Sequence, residues 1–463
     1  MAILGLAAMA YSLAQTSIAP ALGDMAVSLH AGRQDVAWTF TAYLVSAAVL
    51  TPVAGRLGDM FGKRRLLVIA LVLFAAGGTI AALAGNLALV VAGRVVMGAG
   101  GGIFPLCFGI VRDTFPERRR AGAVGLVSAI AGIGGGIGLL MGGLLVDHAS
   151  YRWIFWAGTA MALLAAVAAQ TLLPESANRA PGRVDLRGTL LLAVGITAPL
   201  IGVSQATLWG WTSGRTLGLI TFGVAVLALF VLVERRTAEP LVDMAVLRRR
   251  PVLMTNLVTL LVGFGLFGVF LLVPPLVQTP RSSGYGFGAD ATRAGLLMLP
   301  GSVTMLFAGP LSGKLSSRFG SKVPLALGGA ISSAGLFALA ADHRSQGAVL
   351  GFTTLAFAGI GLSFAALPNL IVDSVEATKT GEATGVNALV RSVGSSLGSQ
   401  VIAGILAGSA TAAGLLPTDH AYTVSFVVAA AGTLAATAAT LLIPRTRGSH
   451  REPGLADAPA LAG

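Results

Sequence analysis

The chain has 463 residues, of which 55% are hydrophobic and 11% charged, with a mean hydropathy of +0.83. Those values exclude a soluble globular domain, in which about a quarter of residues are charged, and leave an integral membrane protein as the class. A net charge of +12 does not mark a nucleic-acid binder, because the basic residues are dispersed over many loops, and the single Cys107 excludes an intrachain disulfide or a multi-cysteine metal site.

Apolar runs long enough to cross a hydrocarbon core of about 30 Å as helices recur along the whole length. In chain order they predict spans near 3–22, 35–54, 66–84, 87–111, 120–146, 152–173, 187–205, 214–233, 253–276, 291–312, 323–341, 347–373, 380–409 and 421–443, fourteen in all. The first lacks the basic leader of a cleaved signal, so it is expected to be retained. Of the 31 Lys and Arg, 23 fall in loops on the side of Asp59 and six on the other side, while Arg94 and Arg391 lie inside spans. By the positive-inside rule this predicts a multi-pass protein of the cell membrane with both termini cytoplasmic. The tail, rich in Pro, Ala and Gly, is expected to be disordered.

Between the second and third spans stands Gly55-Arg56-Leu57-Gly58-Asp59-Met60-Phe61-Gly62-Lys63-Arg64-Arg65, read as a short cationic loop. A second copy, Gly313-Lys314-Leu315-Ser316-Ser317-Arg318-Phe319-Gly320-Ser321-Lys322, follows at an offset of 258 residues with Ser317 in place of Asp59. The chain therefore reads as a duplication. Six spans on each side of the repeat leave two over, which predicts an N-terminal six-helix bundle at 1–180, two inserted transmembrane helices with cytoplasmic linkers at 181–250, a C-terminal six-helix bundle at 251–445 and a tail at 446–463.

A charge at the depth of Arg94 or Arg391 costs about 2.5–3.5 kcal/mol even on a lenient insertion scale, so both should face protein or water. No Asp or Glu lies deep within a span, and the acids best placed to couple protons sit at span boundaries: Asp24 and Asp35 on the outer side, Asp59, Asp113 and Glu382 on the inner. Gly134, Gly138 and Gly142 form one smooth helix stripe, with Gly143 beside it, and Gly98 and Gly102 another; such stripes let helices approach closely where lipid supplies no hydrophobic drive.

The run from Gly55 to Arg65 resembles the cytoplasmic loop signature of the major facilitator superfamily. With it stand Ala42-Tyr43-Leu44, Arg94 with Gly98 and Gly100, the glycines of the fifth span, Trp209-Gly210-Trp211, Gln278, Gly295 with Pro300, and Gly394 with Gly398. From Leu13 to the last span the chain is similar to the fourteen-span drug:proton antiporter branch, of multidrug efflux type. That resemblance implies an all-α membrane fold of two pseudo-symmetric six-helix bundles plus two inserted helices, with a substrate site between the bundles near the midplane.

It further implies a conformational latch made of Gly55, Asp59, Gly62, Lys63, Arg112 and Asp113, in which Asp59 faces the start of the span opening at Thr380-Gly381. Arg94 matches a position linked to proton transfer, with Asp24 and Asp35 as further proton-coupling candidates. The cavity candidates are Tyr11, Gln15, Thr16, Trp38, Tyr43, Asn256, Gln278, Asn369, Asn387 and Arg391. A cavity so poor in acids suits an anionic or neutral amphipathic molecule. Two positions depart from the antiporter pattern: Leu139 stands where a Pro usually follows the glycine at Gly138, and Ala14 where an acid is often found.

The function implied is export of small amphipathic or drug-like compounds by alternating access in exchange for protons. No enzyme activity, metal or cofactor is implied; the proton gradient is the energy source, and the partners are the small-molecule substrate, protons and membrane lipid, with no nucleic acid and a monomeric state. An uncoupled uniporter or importer, and a membrane sensor that moves no solute, remain the alternatives. Gly394-Ser395-Ser396-Leu397-Gly398 fits a hydrolase pattern but lies in mid-span, and Ala308 to Lys314 lacks the first Gly of a phosphate loop. The five histidines show no metal-ligand spacing.

Overall fold

The computed structural model describes residues 1–176, 178–179, 185–409 and 416–443. The 180/181 and 445/446 boundaries, the tail at 446–463 and the basic residues after 443 lie outside the described residues. In chain order the helices are α1 (Ala2–Thr16), α2 (Leu22–Ser28), α3 (Arg33–Val36), α4 (Trp38–Phe61), α5 (Lys63–Leu83), α6 (Leu87–Met97), α7 (Ile103–Thr114), α8 (Glu117–His148) and α9 (Arg152–Leu172). There follow α10 (Leu186–Trp209), α11 (Gly214–Glu234), α12 (Met244–Arg248), α13 (Arg250–Gln278), α14 (Ala291–Phe319), α15 (Lys322–Ala341), α16 (Gln346–Ser374), α17 (Thr380–Gly408) and α18 (Asp419–Thr440).

Among the described residues thirteen helical segments are long and apolar enough to cross a bilayer, and the remaining expected span, the first, is a shorter apolar helix. α1 has 15 residues, about 22 Å at 1.5 Å per residue, short of the roughly 30 Å hydrocarbon core. Pro20 has no N–H to continue an α-helical ladder, so the chain passes from α1 through turns at Ser17–Ala21 into α2.

The fourth span is likewise not one regular helix. Gly98–Gly102 forms a 3-10 stretch between α6 and α7. Four glycines and an alanine give little helix propensity, and their missing side chains let α4 and α5 press in: a Cβ at Gly101 would lie 2.7 Å from the Ala47 carbonyl oxygen, and one at Gly100 2.6 Å from the Phe74 ring.

The charged signature expected as a loop is also corrected, because α4 continues as helix to Phe61. It stops at Gly62, whose φ of 108° few other residues adopt; in the second copy α14 runs to Phe319 and stops at Gly320 with φ 83°. The same stop at the same repeat position supports the duplication.

Two separate apolar cores follow. One is built from α1 and α4–α9, around Leu71, Phe74, Met97, Phe104 and Phe155. Another joins α13–α18, around Leu272, Met298, Phe357 and Phe426. α10 and α11 pack on each other through Gly195, Gly202 and Gly223. A third cluster, with Leu192, Ile196, Phe230, Leu241 and Val242, wedges this pair against α4 and α17. Gly134, Gly138 and Gly142 face α1, where a Cβ at Gly138 would lie 2.7 Å from the Leu13 carbonyl oxygen, and Gly143 is buried; Leu139 instead packs toward the second core.

Candidate functional site

Two seams join the halves. Along the first, α4 meets the beginning of α17 at the end of the molecule that carries Asp59. Gly55 has no side chain, and its backbone comes so close that a Cβ there would lie 2.6 Å from the Gly381 carbonyl carbon. This approach brings the Asp59 carboxylate onto the free N–H groups at the start of α17: Gly381 N donates to Oδ1 at 3.1 Å and Glu382 N to Oδ2 at 2.8 Å. Helix N-termini favour an anion through these unpaired donors and the helix dipole, by up to about 2 kcal/mol. Asp59 is fully buried, and so is Lys63, whose Nζ lies 3.4 Å from Asp59 and 2.9 Å from Asp113.

Asp113 in turn accepts from Asn178 Nδ2 at 2.9 Å and from the Ser176 hydroxyl. Arg112 reaches across the seam, donating to the carbonyls of Val375 (2.7 Å) and Glu376 (3.1 Å) and to Thr380 Oγ1 (2.7 Å). Gly62, the turn that ends α4, places Lys63 on the first turn of α5, and Glu175 accepts from the backbone N–H groups of Arg64 and Arg65 at 3.2 Å each.

The seam carries further charged groups. Arg56 pairs with Glu382 at 3.5 Å, and Glu382 Oε1 accepts the backbone N–H of Asp243 at 2.6 Å. Asp243 itself pairs with Lys379 at 2.6 Å. Burial alone would raise the Asp243 carboxyl, but the Lys379 ammonium and the N–H groups of Ala245 and Val246 hold it below the ordinary carboxylate range. The linker between the inserted helices and the second half is therefore strapped to the start of α17.

The second seam, α8 against α14, runs the length of both helices. Gly313 meets Gly122 as Gly55 meets Gly381, Gly125 meets Gly309, and at the far end Thr292 Oγ1 donates to Asp147 at 3.0 Å. Ser317, at the position of Asp59, only bonds its own helix at the Lys314 carbonyl.

Arg94 is fully buried near the other end of the first half. Its Nε donates to the Thr39 carbonyl at 3.0 Å and Nη1 to the Ala14 carbonyl at 3.3 Å, its plane lies 4.0 Å from the Tyr43 ring centroid, and Nη2 has no partner. Replacing it with Met removes charge-assisted bonds worth about 1.5–3 kcal/mol each but also a buried unpaired charge. The expected outcome for Arg94→Met is a melting temperature near that of the wild type with efflux lowered roughly tenfold or more; loss of both together identifies a structural arginine instead.

Arg391 stands over the Phe364 ring at 4.3 Å and forms no ion pair among the described residues. Tyr11 stacks at 5.9 Å from Tyr43 and edge-on at 5.6 Å from Phe104, an aromatic row in which Phe104 and Phe108 were not among the expected residues. Gln15 is half-buried on α1.

Other cavity candidates have polar groups bonded to neighbouring helices, the alternative role for any polar residue inside a span. Thr16 donates to the Gly135 carbonyl at 2.8 Å, and Asn369 to the carbonyls of Ala121 and Ala365. Asn387 donates to Asn256 (2.9 Å) and Thr259 (2.8 Å) between α13 and α17. Gln278 is exposed at the end of α13, bonded to the Pro274 carbonyl of its own helix. Trp38 shares a surface cleft with Asp35, Leu87 and Val91, while Asp24 is half-buried on α2; among the described residues Arg94 instead meets carbonyls, the Tyr43 ring and Met97. Among the described residues no group of three or more His, Cys, Asp or Glu gathers as a metal site.

The family model for the Major Facilitator Superfamily matches residues 4–399. The chain belongs to this superfamily. Among its relatives, the tetracenomycin C resistance and export protein of Streptomyces glaucescens is 29% identical over 86% of this chain and 74% of that protein. The multidrug resistance protein Stp of Mycobacterium tuberculosis is 30% identical over 84% of this chain and 72% of its own length. In fold the facilitator is similar to the human organic anion transporter MFSD10 (TM-score 0.64, 15% identity, 95% of this chain and 98% of that one) and to the proton:xylose symporter XylE (TM-score 0.67, 15% identity, 96% of each). Membership places this facilitator among small-molecule transporters rather than enzymes.

Glu175, Ser176 and Asn178 complete the facilitator's charged seam without having been singled out, whereas Arg56 stood in the charged signature and Glu382 among the boundary acids. The partners of the first three lie far away in sequence.

Proposed function

We propose that this chain exports small amphipathic, drug-like compounds across the cell membrane by alternating access, taking protons in exchange. The observation that carries this reading is the fully buried Asp59 carboxylate capping α17 across the seam, with Lys63, Asp113 and Arg112 around it. A buried charge held between the halves at this end stabilises one orientation and must be released for the other. Gly55, Asp59, Gly62, Lys63, Arg112 and Asp113 are proposed as the latch. Arg94 is proposed to take part in proton transfer, with Asp24 and Asp35 as outer acids.

The drug-like cargo is supported by relatives named for tetracenomycin C export and multidrug resistance. The unpaired Arg391 beside Tyr11 and Phe364 favours anionic or neutral aromatic molecules over cations. The excess of basic residues on the Asp59 side supports cytoplasmic termini. Uncoupled transport is the second reading, because at Ala14 the guanidinium of Arg94 meets a carbonyl where a carboxylate is often found.

Reconstitution in proteoliposomes tests both. Accumulation of a fluorescent amphipathic dye is expected to rise severalfold with an imposed pH gradient and to collapse with a protonophore. Equal rates with and without the gradient would leave only the uncoupled reading, and strict preference for cationic dyes would overturn the assignment of cargo charge.

A further inference from the structure

The inserted helix pair carries two carboxyl groups that the latch and the transport reading leave unused. Asp185 caps the start of α10, accepting the Gly188 N–H on Oδ1 at 2.9 Å. Glu234 ends α11 with 2% exposure and accepts the Val242 N–H on Oε2 at 3.3 Å. Each carboxyl thus has one oxygen met by a backbone donor. Among the described residues the remaining oxygens, Asp185 Oδ2 and Glu234 Oε1, are buried with no hydrogen-bond partner, and a Cβ built on Gly188 would overlap both at once. Two acceptor oxygens are therefore turned into the same small space with no donor from the described residues between them.

Among the described residues the charged groups around them do not supply one. On α10 and α11 the neighbouring Arg187, Arg235 and Arg236 are exposed. On α17, Glu382 is held by Arg56, and in the linker Asp243 is held by Lys379. Among the described residues neither Asp185 nor Glu234 forms an ion pair. Two carboxylates at such proximity cannot both stay ionised in a buried place, and a proton between them satisfies both empty acceptors.

We infer that Asp185 and Glu234 hold a single proton between them, a proton-binding site at the cytoplasmic end of the inserted helices. It is joined to the seam through the backbone: Val242 N–H binds Glu234 and the next N–H, of Asp243, binds Glu382. Losing the proton places a second negative charge beside that strap and toward Glu382, loosening the linker from α17. This inference goes beyond the transport reading and does not require it, since the proton is read directly.

The experiment is infrared spectroscopy of the purified full-length chain in lipid nanodiscs at neutral pH, comparing wild type with Glu234→Gln and Asp185→Asn. The wild type is expected to show a protonated-carboxyl C=O band that shifts in heavy water and is lost in both variants, because an amide in either place supplies the missing donor and lets the remaining acid ionise. Absence of the band in the wild type, its persistence in both variants, or its loss in only one overturns the shared proton. Should the variants fail to fold, wild type labelled with carbon-13 at either Asp or Glu carboxyls decides: the band is expected to move with each label, and a band that moves with one label or none overturns the inference. A failed dye-transport assay leaves this result untouched, so the two readings fail separately.

Discussion

Asp59→Asn is expected to abolish most efflux while leaving each half folded. The variant keeps the side chain's shape but removes the charge that accepts two N–H groups of α17, and it turns an amide donor toward at least one of them. It also leaves the fully buried Lys63 with Asp113 as its only acidic partner. Breaking one member of a buried charge cluster costs about 3–5 kcal/mol, which shifts the ratio of closed to open forms at this end by roughly a hundredfold or more. Because Cys107 is buried, a Thr51→Cys probe in the seam gives a clean labelling signal. Maleimide labelling of that probe is expected to rise in Asp59→Asn as efflux falls; unchanged labelling with unchanged efflux would remove the latch from the mechanism.

Gly55→Val is expected to be as severe for a different reason. A Cβ at this position would stand 2.6 Å from the Gly381 carbonyl carbon and 3.3 Å from the Glu382 nitrogen, and both are backbone atoms that cannot turn aside. The two halves would be wedged apart where they must meet, yet neither apolar core is touched, so the melting temperature should stay near that of the wild type while resistance in a sensitive host disappears. Gly313→Val makes the matching test on the other seam, where the Gly122 Cα lies 2.5 Å from the added carbon. Full activity in Gly55→Val would mean that α4 and α17 do not approach this closely in any state that matters for transport.

Much of the architecture was legible because it rests on local signals. The inserted spans expected at 187–205 and 214–233 are Leu186–Trp209 and Gly214–Glu234, and the span expected at 323–341 is Lys322–Ala341, since hydropathy alone sets such limits. The repeat offset located Gly62 and Gly320, whose backbone conformations end their helices in the same way. Where the reading missed, tertiary contact had decided. Gly98–Gly102 looks like packing glycine in a helix, and only the crowding of Ala47 and Phe74 makes it a 3-10 segment.

The site was legible where a family pattern pointed to it and opaque elsewhere. The start of α17 was expected opposite Asp59 from resemblance; Asn178 at Asp113, or Asp243 at Lys379, left no trace, because nothing in a sequence joins residues 65 or 136 positions apart. Polar residues in spans were ambiguous for the opposite reason. Thr16, Asn256, Asn369 and Asn387 look like cargo contacts by composition, whereas a hydrocarbon solvent makes any such group seek a neighbouring helix first.

The two seams repeat one backbone contact with different chemistry. Gly313 touches Gly122 as Gly55 touches Gly381, but Ser317 brings no ion to its side. One edge therefore meets along its whole length by close backbone fit, like a spine, with a hydrogen bond from Thr292 to Asp147 at its far end, while the facing edge adds to its own close fit a set of buried charges at the Asp59 end. On the proposed alternating-access reading, such a body rests with its mouth shut on the Asp59 side, and departure from that posture is the uphill stroke.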